Sequence, residues 1–197
     1  MNDFWNARYA DAIYAFGEEP NEFFKQELLK LQPGKLLLPA EGEGRNAVFA
    51  ARMGWEVTAF DTSIEGKKKA EQLAKNFGVT INYEITDLEN FTADSNSFDC
   101  VGFTFVHMPP EVRTRIHQKA ISWLKPSSKI ILQAFSKAQI NETSGGPRDI
   151  SRLFSEEELR ADFSELSDID IDLEEIILDE GKYHQGKAQV INLVGTK

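Results

Sequence analysis

Two glycines, Gly42 and Gly44, separate a run of leucines from a stretch of helix-forming residues, and Asp61 follows nineteen residues after Gly42. Glycine lets the backbone come close to a ligand, and a helix start presents free N–H groups. An acid at the end of the next strand can take both hydroxyls of a ribose. The pattern therefore reads as a nucleotide seat. Gly42-x-Gly44-x-x-Ala47 also fits a dinucleotide fingerprint, so the loop alone does not choose its ligand. Asp87, with the Leu88 backbone, stands just after a third strand and can reach an adenine edge. Each residue has a plainer alternative: a tight turn for the glycines, a helix cap near Ser63 for Asp61, a loop acid for Asp87. Asn46 and Arg45 open the helix and can touch a ligand carboxylate; Arg45 can equally face solvent.

The remaining candidates come from where ligands lie on open α/β sheets, over the carboxyl ends of the strands. Three loops fall there: Thr104–Pro110, Ser136–Arg152 and Asp179–Lys187. His107 lies in the first, and Tyr183 and His184 in the last. Either histidine can deprotonate a nucleophile, shape a pocket or simply pack and hydrogen-bond. Trp5 and Tyr9 belong to an aromatic N-terminal segment that would exclude water from the site. Gly145-Gly146-Pro147 suits a gate or a turn. His117 falls mid-helix and reads as structural. Lys67-Lys68-Lys69 reads as a solvated face. Three dispersed histidines and a lone cysteine, Cys100, suggest no metal centre.

These residues need a scaffold, and the chain supplies one in rhythm. Leu36–Leu38, Trp55–Phe60, Thr80–Ile85, Phe98–Phe103 and Lys129–Phe135 read as strands. The helices between them include 45–53 (ended by Gly54), one capped by Ser63, and one opened by Pro109-Pro110. Asn21 can cap an earlier helix. Such alternation implies an α/β fold, a doubly wound, mostly parallel sheet with right-handed crossovers. Ser155 and Glu158 form a capping box for a short helix, 156–163. Then come two strands, Ile169–Leu178 and Ala188–Val194, too close for a helical crossover and therefore antiparallel neighbours. One domain, 1–197, is expected: a lid segment (1–19), a cofactor-binding core (20–136), and a substrate loop, short helix and terminal β-hairpin (137–197).

With 197 residues, 41% hydrophobic, the chain can bury a sizeable core. A net charge of −10 argues against a broad nucleic-acid or anionic-membrane surface. Cys100 alone permits no internal disulfide. There is no leader-like start and no apolar run of spanning length, so a cytoplasmic protein is expected, as a monomer or homodimer.

The order of features resembles class I S-adenosylmethionine-dependent methyltransferases, and within them the tellurite-resistance and thiopurine methyltransferase relatives. The matching residues are Phe4-Trp5…Arg8-Tyr9, Glu41-Gly42-Glu43-Gly44-Arg45-Asn46-Ala47, Val57–Ser63, Asp87-Leu88, Phe98–Val101 and Trp123-Leu124-Lys125-Pro126. The resemblance implies a seven-stranded Rossmann-like sheet with its last strand antiparallel, and methyl transfer from S-adenosyl-L-methionine to a small-molecule acceptor, leaving S-adenosyl-L-homocysteine. It implies cofactor contacts from Ala40, Glu41, Gly42, Gly44, Asn46, Asp61, Thr62, Asp87 and Leu88. Catalytic contacts would fall to His107 and His184, and substrate contacts to Trp5, Tyr9, His107, Tyr183 and His184. Two departures stand out. Ala40 replaces the family's first loop glycine, and Leu38 its usual acid, so that Glu41 or a backbone carbonyl would hold the methionine amino group. Alternative readings are an NAD(P)-dependent oxidoreductase and a non-catalytic S-adenosylmethionine-binding protein.

Overall fold

A computed structural model describes residues 2–197; Met1, the first residue of the expected lid, lies outside them. Seven strands form one sheet: β1 (Lys35–Pro39), β2 (Glu56–Asp61), β3 (Asn82–Ile85), β4 (Phe98–Thr104), β5 (Leu124–Phe135), β6 (Asp168–Glu180) and β7 (His184–Thr196). Their order is β3-β2-β1-β4-β5-β7-β6. β1 to β5 run parallel, while β7 pairs antiparallel with both β5 and β6. The doubly wound sheet ending in an antiparallel hairpin is the arrangement expected above.

Six α-helices flank it among the described residues: α1 (Asn2–Tyr9), α2 (Glu22–Leu28), α3 (Arg45–Arg52), α4 (Ile64–Asn76), α5 (Pro110–Trp123) and α6 (Glu156–Asp162). Period-two alternation divides the core between the sheet's faces. Leu37 and Val101 face a cluster with Ile116, Ile121 and Phe163 from the α5 and α6 side. Leu36, Leu38 and Cys100 face Phe24, Leu28, Ala47 and Ala50 of α2 and α3. Cys100 is thus a core residue. Gly102 is required where β4 passes under α2, since a Cβ there would meet Leu38 and Phe24 at 2.8 Å.

Local signals place the helix starts. Asn21 accepts from the Phe24 N–H, Ser63 from the Gly66 N–H, and Ser155 and Glu158 form a reciprocal capping box. Bounds differ most in three places. The N-terminal helix is only Asn2–Tyr9, and the chain from 10 to 20 is irregular. β5 begins at Leu124, directly after α5. The loop expected at Asp179–Lys187 shrinks to Gly181-Lys182-Tyr183, because β6 and β7 stay paired up to Glu180 and His184. No described helix is long and apolar enough to cross a membrane.

Candidate active site

The glycine turn leaves β1 with Ala40 at φ 51, then Gly42 at φ 65 and Gly44 at φ 87. Alanine therefore takes the left-handed conformation that glycine adopts without cost. Two close approaches need glycine itself. A Cβ on Gly44 would come within 2.5 Å of the Ala70 side chain, and one on Gly66 within 2.8 Å of the Gly42 carbonyl. α4 is thereby packed directly against the turn. Tyr83 donates to the Gly42 carbonyl at 2.6 Å, tying β3 to the same loop.

Asp61 ends β2 at its carboxyl end, pointing at this turn. Its carboxylate accepts from the Gly42 N–H at 3.1 Å and the Ser63 N–H at 2.9 Å. The cap of α4 is Ser63 itself, so Asp61 is not the cap; it holds the Ser63 N–H ahead of the helix and the Gly42 N–H of the turn. Burial raises the Asp61 carboxyl above its usual range, against backbone hydrogen bonds from Ser63, Gly42 and Thr62. Thr62 lies half-buried beside it.

Glu41 is turned inward. It accepts from the Ala47 N–H at 2.8 Å and so caps α3. Desolvation pushes its carboxyl up to about 7, partly offset by the Ala47 hydrogen bond and by Arg45. Asn46 accepts the Asn21 N–H at 2.9 Å. Arg45 is 8% exposed and donates to Glu180 at 2.9 Å and to the Phe16 carbonyl at 3.1 Å. Neither helix-opening residue is free in solvent.

Asp87 is exposed and accepts from the Glu89 and Asn90 N–H groups at 3.0 and 2.8 Å, organising its own turn. These bonds hold its carboxyl below the usual range, the Asn90 backbone N–H foremost. Leu88 packs against the core from the same turn.

α1 lies across the turn. The Asn6 side-chain carbonyl accepts from the Ser63 hydroxyl at 2.7 Å. Tyr9 is 5% exposed, stacks on Trp5 at 5.4 Å between ring centroids, and its hydroxyl lies 2.7 Å from where a Gly42 Cβ would be. Tyr9 thus meets the glycine turn, while Trp5 continues toward Phe16. Lys69, expected in a solvated run, instead donates to Glu43 at 2.7 Å and to the Ile13 carbonyl at 2.8 Å.

On the far side of the turn, the segment after β4 opens with Phe105 at φ 53, a left-handed conformation unusual for an aromatic residue. His107 has both ring nitrogens engaged. Nδ1 donates to the Arg152 carbonyl at 2.9 Å, and Nε2 accepts from the Phe135 N–H at 3.3 Å. Burial drives it down to about 4, so it is a neutral bracing group with no nitrogen free for proton transfer. His117 likewise bonds Asp162 inside the α5–α6 core. His184 is different. Its Nδ1 lies 3.1 Å from Glu180, directly across the hairpin, and Nε2 has no hydrogen-bond partner among the described residues. Phe16, Phe105 and Phe135 surround the ring at 4.5, 4.6 and 5.3 Å. Tyr183 sits at the hairpin tip with Arg8 over its face at 4.0 Å.

Glu180, Phe16 and Phe105 were not among the candidates from sequence. Glu180 carried a signal, since Glu-Gly-x-x-His around a three-residue tip puts acid and imidazole opposite each other. Phe16 showed only as one of the aromatics of the N-terminal segment, and Phe105 carried no signal.

Residues 39–127 match a family model described as a methyltransferase domain. No curated protein sequence matches the chain. Among solved structures, one reported for conversion of a disulfide bond into a thioacetal group during echinomycin biosynthesis superposes with a TM-score of 0.81 at 16% identity, covering 100% of this chain and 91% of that one. An S-adenosylmethionine-dependent methyltransferase of Methanosarcina mazei gives 0.71 at 18% identity, covering 91% and 98%. TehB of Haemophilus influenzae gives 0.66 at 15% identity, covering 100% and 66%.

Proposed function

We propose, starting from a chain that carries a methyltransferase domain on the class I methyltransferase fold and takes S-adenosylmethionine as its cofactor, that it methylates a small-molecule acceptor bound between the glycine turn and the terminal hairpin. The observation carrying this reading is Asp61, anchored by the Gly42 and Ser63 N–H groups at the end of β2.

The donor set fits an adenosyl ligand. A carboxylate that accepts two N–H groups keeps further lone-pair directions for a vicinal diol. The ligand supplies a methyl group on a sulfonium leaving group. The protein's part is to place the acceptor in line and keep water out. Asp61 and Thr62 would hold the ribose, and Gly42 and Gly44, with Ala40 before them, the amino-acid end. Asp87 and Leu88 would flank the adenine, through backbone groups because the Asp87 carboxylate is already engaged. Glu41, raised to about 7 by burial despite Arg45 nearby, would settle as a carboxylate beside the methionine ammonium, with Asn46 holding the loop that carries it. Tyr9 and Trp5 would close over the cofactor. The three stretches of the chain act here as one domain, in keeping with a cytosolic enzyme of tellurite-resistance-like or thiopurine-like architecture.

Isothermal titration of S-adenosylmethionine and S-adenosylhomocysteine into the wild type and Asp61→Asn tests this. Micromolar binding by the wild type is expected. The variant should lose about 1.5–3 kcal/mol per hydrogen bond to the charged group. No heat from either ligand with the wild type would overturn the reading.

A further inference from the structure

The terminal hairpin brings together groups that holding a cofactor does not require. Glu180 and His184 are the last paired residues of β6 and β7, directly opposite on one face of the sheet. One Glu180 oxygen accepts from Asn21 at 3.0 Å; the other accepts from Arg45 at 2.9 Å and lies 3.1 Å from His184 Nδ1. A carboxylate can only accept, so Nδ1 must carry a proton, and in the neutral ring Nε2 then holds the lone pair. That lone pair has no partner among the described residues, nor is Nε2 among the fully enclosed unpartnered atoms, which are Arg113 Nη1 and His117 Nε2. Gly145 borders the edge. His184 is 6% exposed, and a Cβ at Gly145 would stand 3.2 Å from Nε2, so glycine there keeps a side chain off that nitrogen. The rings around it belong to Phe16, Phe105 and Phe135.

We propose that His184, oriented by Glu180 across the hairpin, is the general base for methyl transfer, and that the acceptor is a neutral O–H or N–H compound with an apolar body. The inference rests on the methyl-transfer reading and goes beyond it by naming the acceptor class. An acceptor that arrives as an anion, or with a lone pair and no proton to lose, would need no base. As the acceptor atom gains its bond to the methyl carbon, the S–CH₃ bond breaks and its electron pair returns to sulfur. The acceptor's O–H or N–H bond breaks in turn, and the proton passes to Nε2. The positive charge brought in on sulfur ends on the imidazolium, facing Glu180, and is lost to water as the proton leaves.

The charges facing the imidazole suit that task. Burial, Arg45 on α3 and Arg8 on α1 hold His184 below its ordinary value, while Glu180 on β6 opposes them. His107, after β4, is neutral. Glu180 itself is driven down to about 2 by hydrogen bonds and charge from His184 and Arg45, against the cost of burial. At neutral pH the pair is therefore an ionised acid and an uncharged base.

Two measurements test the proposal. The first is the ¹⁵N spectrum of the imidazoles in the protein without cofactor, across pH. A pyrrole-like Nδ1 and a pyridine-like Nε2 at neutral pH are expected for His184, and Glu180→Gln should lower its titration midpoint. An Nε2–H tautomer, or a charged ring at pH 7, would overturn the proposal. The second compares wild type and His184→Gln on phenols and N-heterocycles against tellurite and selenide, with cofactor affinity followed by titration calorimetry. His184→Gln should bind S-adenosylmethionine within twofold of wild type and lose about 10²–10⁴-fold in kcat/KM on the neutral acceptors. Added imidazole should restore part of the loss in His184→Ala. Wild-type turnover confined to the anions, or equal losses on both classes, would refute the base while leaving the cofactor reading intact. Absence of cofactor binding by the wild type would instead sink the reading beneath it.

Discussion

Ala40 shows how one methyl group is tolerated at a bend built for none. Its φ of 51 is left-handed, which costs a non-glycine residue about 1–2 kcal/mol. Ala40→Gly should relieve that strain but free the unfolded chain by about 0.4–1 kcal/mol, leaving a net gain of about 0.5–1 kcal/mol in urea unfolding. Glu41 gives a second residue-scale prediction. Its carboxyl is raised from 4.5 to about 7, so the folded state binds that proton more tightly than the unfolded one. The stability it contributes is complete below 4.5 and is lost as pH rises through 7. Glu41→Gln keeps an acceptor for the Ala47 N–H and removes the buried charge. Its melting temperature should exceed that of the wild type clearly at pH 8 and little at pH 5. The glycines and Asp61 were legible in sequence because their meaning is local: a turn, a helix start, a strand end. Phe105 was not, because nothing in a residue's type announces a left-handed backbone. Glu41 read as a ligand contact, since its reach to the Ala47 N–H depends on how tightly the turn closes.

Among elements, the strand and helix rhythm was readable from apolar periodicity and capping residues, and the antiparallel hairpin from the short interval between two strands. The length of that hairpin was not. The acid-alternating stretch of β6 read correctly as strand, but Asp179-Glu180 and His184–Lys187, polar and flanking a glycine, looked like loop. Pairing over thirteen rungs, Asp168↔Thr196 to Glu180↔His184, is decided by the partner strand. The tip also docks on the segment following α1. A Cβ on Gly181 would stand 2.5 Å from the Gly17 nitrogen and 2.6 Å from the Ala15 carbonyl. With φ 63 at the same position, Gly181→Ala should cost at least the left-handed penalty of about 1–2 kcal/mol. Chemical denaturation would show it, and proteolysis would show earlier cleavage within residues 10–20. The proposed lid role of α1 can be tested apart from the tip. Asn6→Ala removes the acceptor for the Ser63 hydroxyl, and cofactor affinity should fall by up to tenfold, about 1.4 kcal/mol.

At the scale of the whole molecule, β6 is an edge strand with unpaired backbone along one side, the kind of surface that invites pairing with another chain. Asp168, Asp170, Asp172, Glu174 and Glu175 line it beside the exposed Leu173 and Ile177. Much of the net charge of −10 thus sits where mutual repulsion keeps edges apart. Neutralising Asp170, Asp172, Glu174 and Glu175 to their amides should promote self-association. Light scattering would detect it, and so would lowering the pH of the wild type toward its pI of about 4.9. The acidity that argued in sequence against a nucleic-acid surface therefore has a structural location.

The rung shared by Glu180 and His184 makes the sheet a ruler for the chemistry at its end. A residue inserted among Gly181, Lys182 and Tyr183 must either bulge out or slip β7 by one position, and a slip turns its side chains to the opposite face. Tip length is then fixed while tip composition is free. If His184 is the base, libraries that vary Lys182 and Tyr183 at constant length would retune which acceptors are chosen while leaving the Glu180–His184 rung in place.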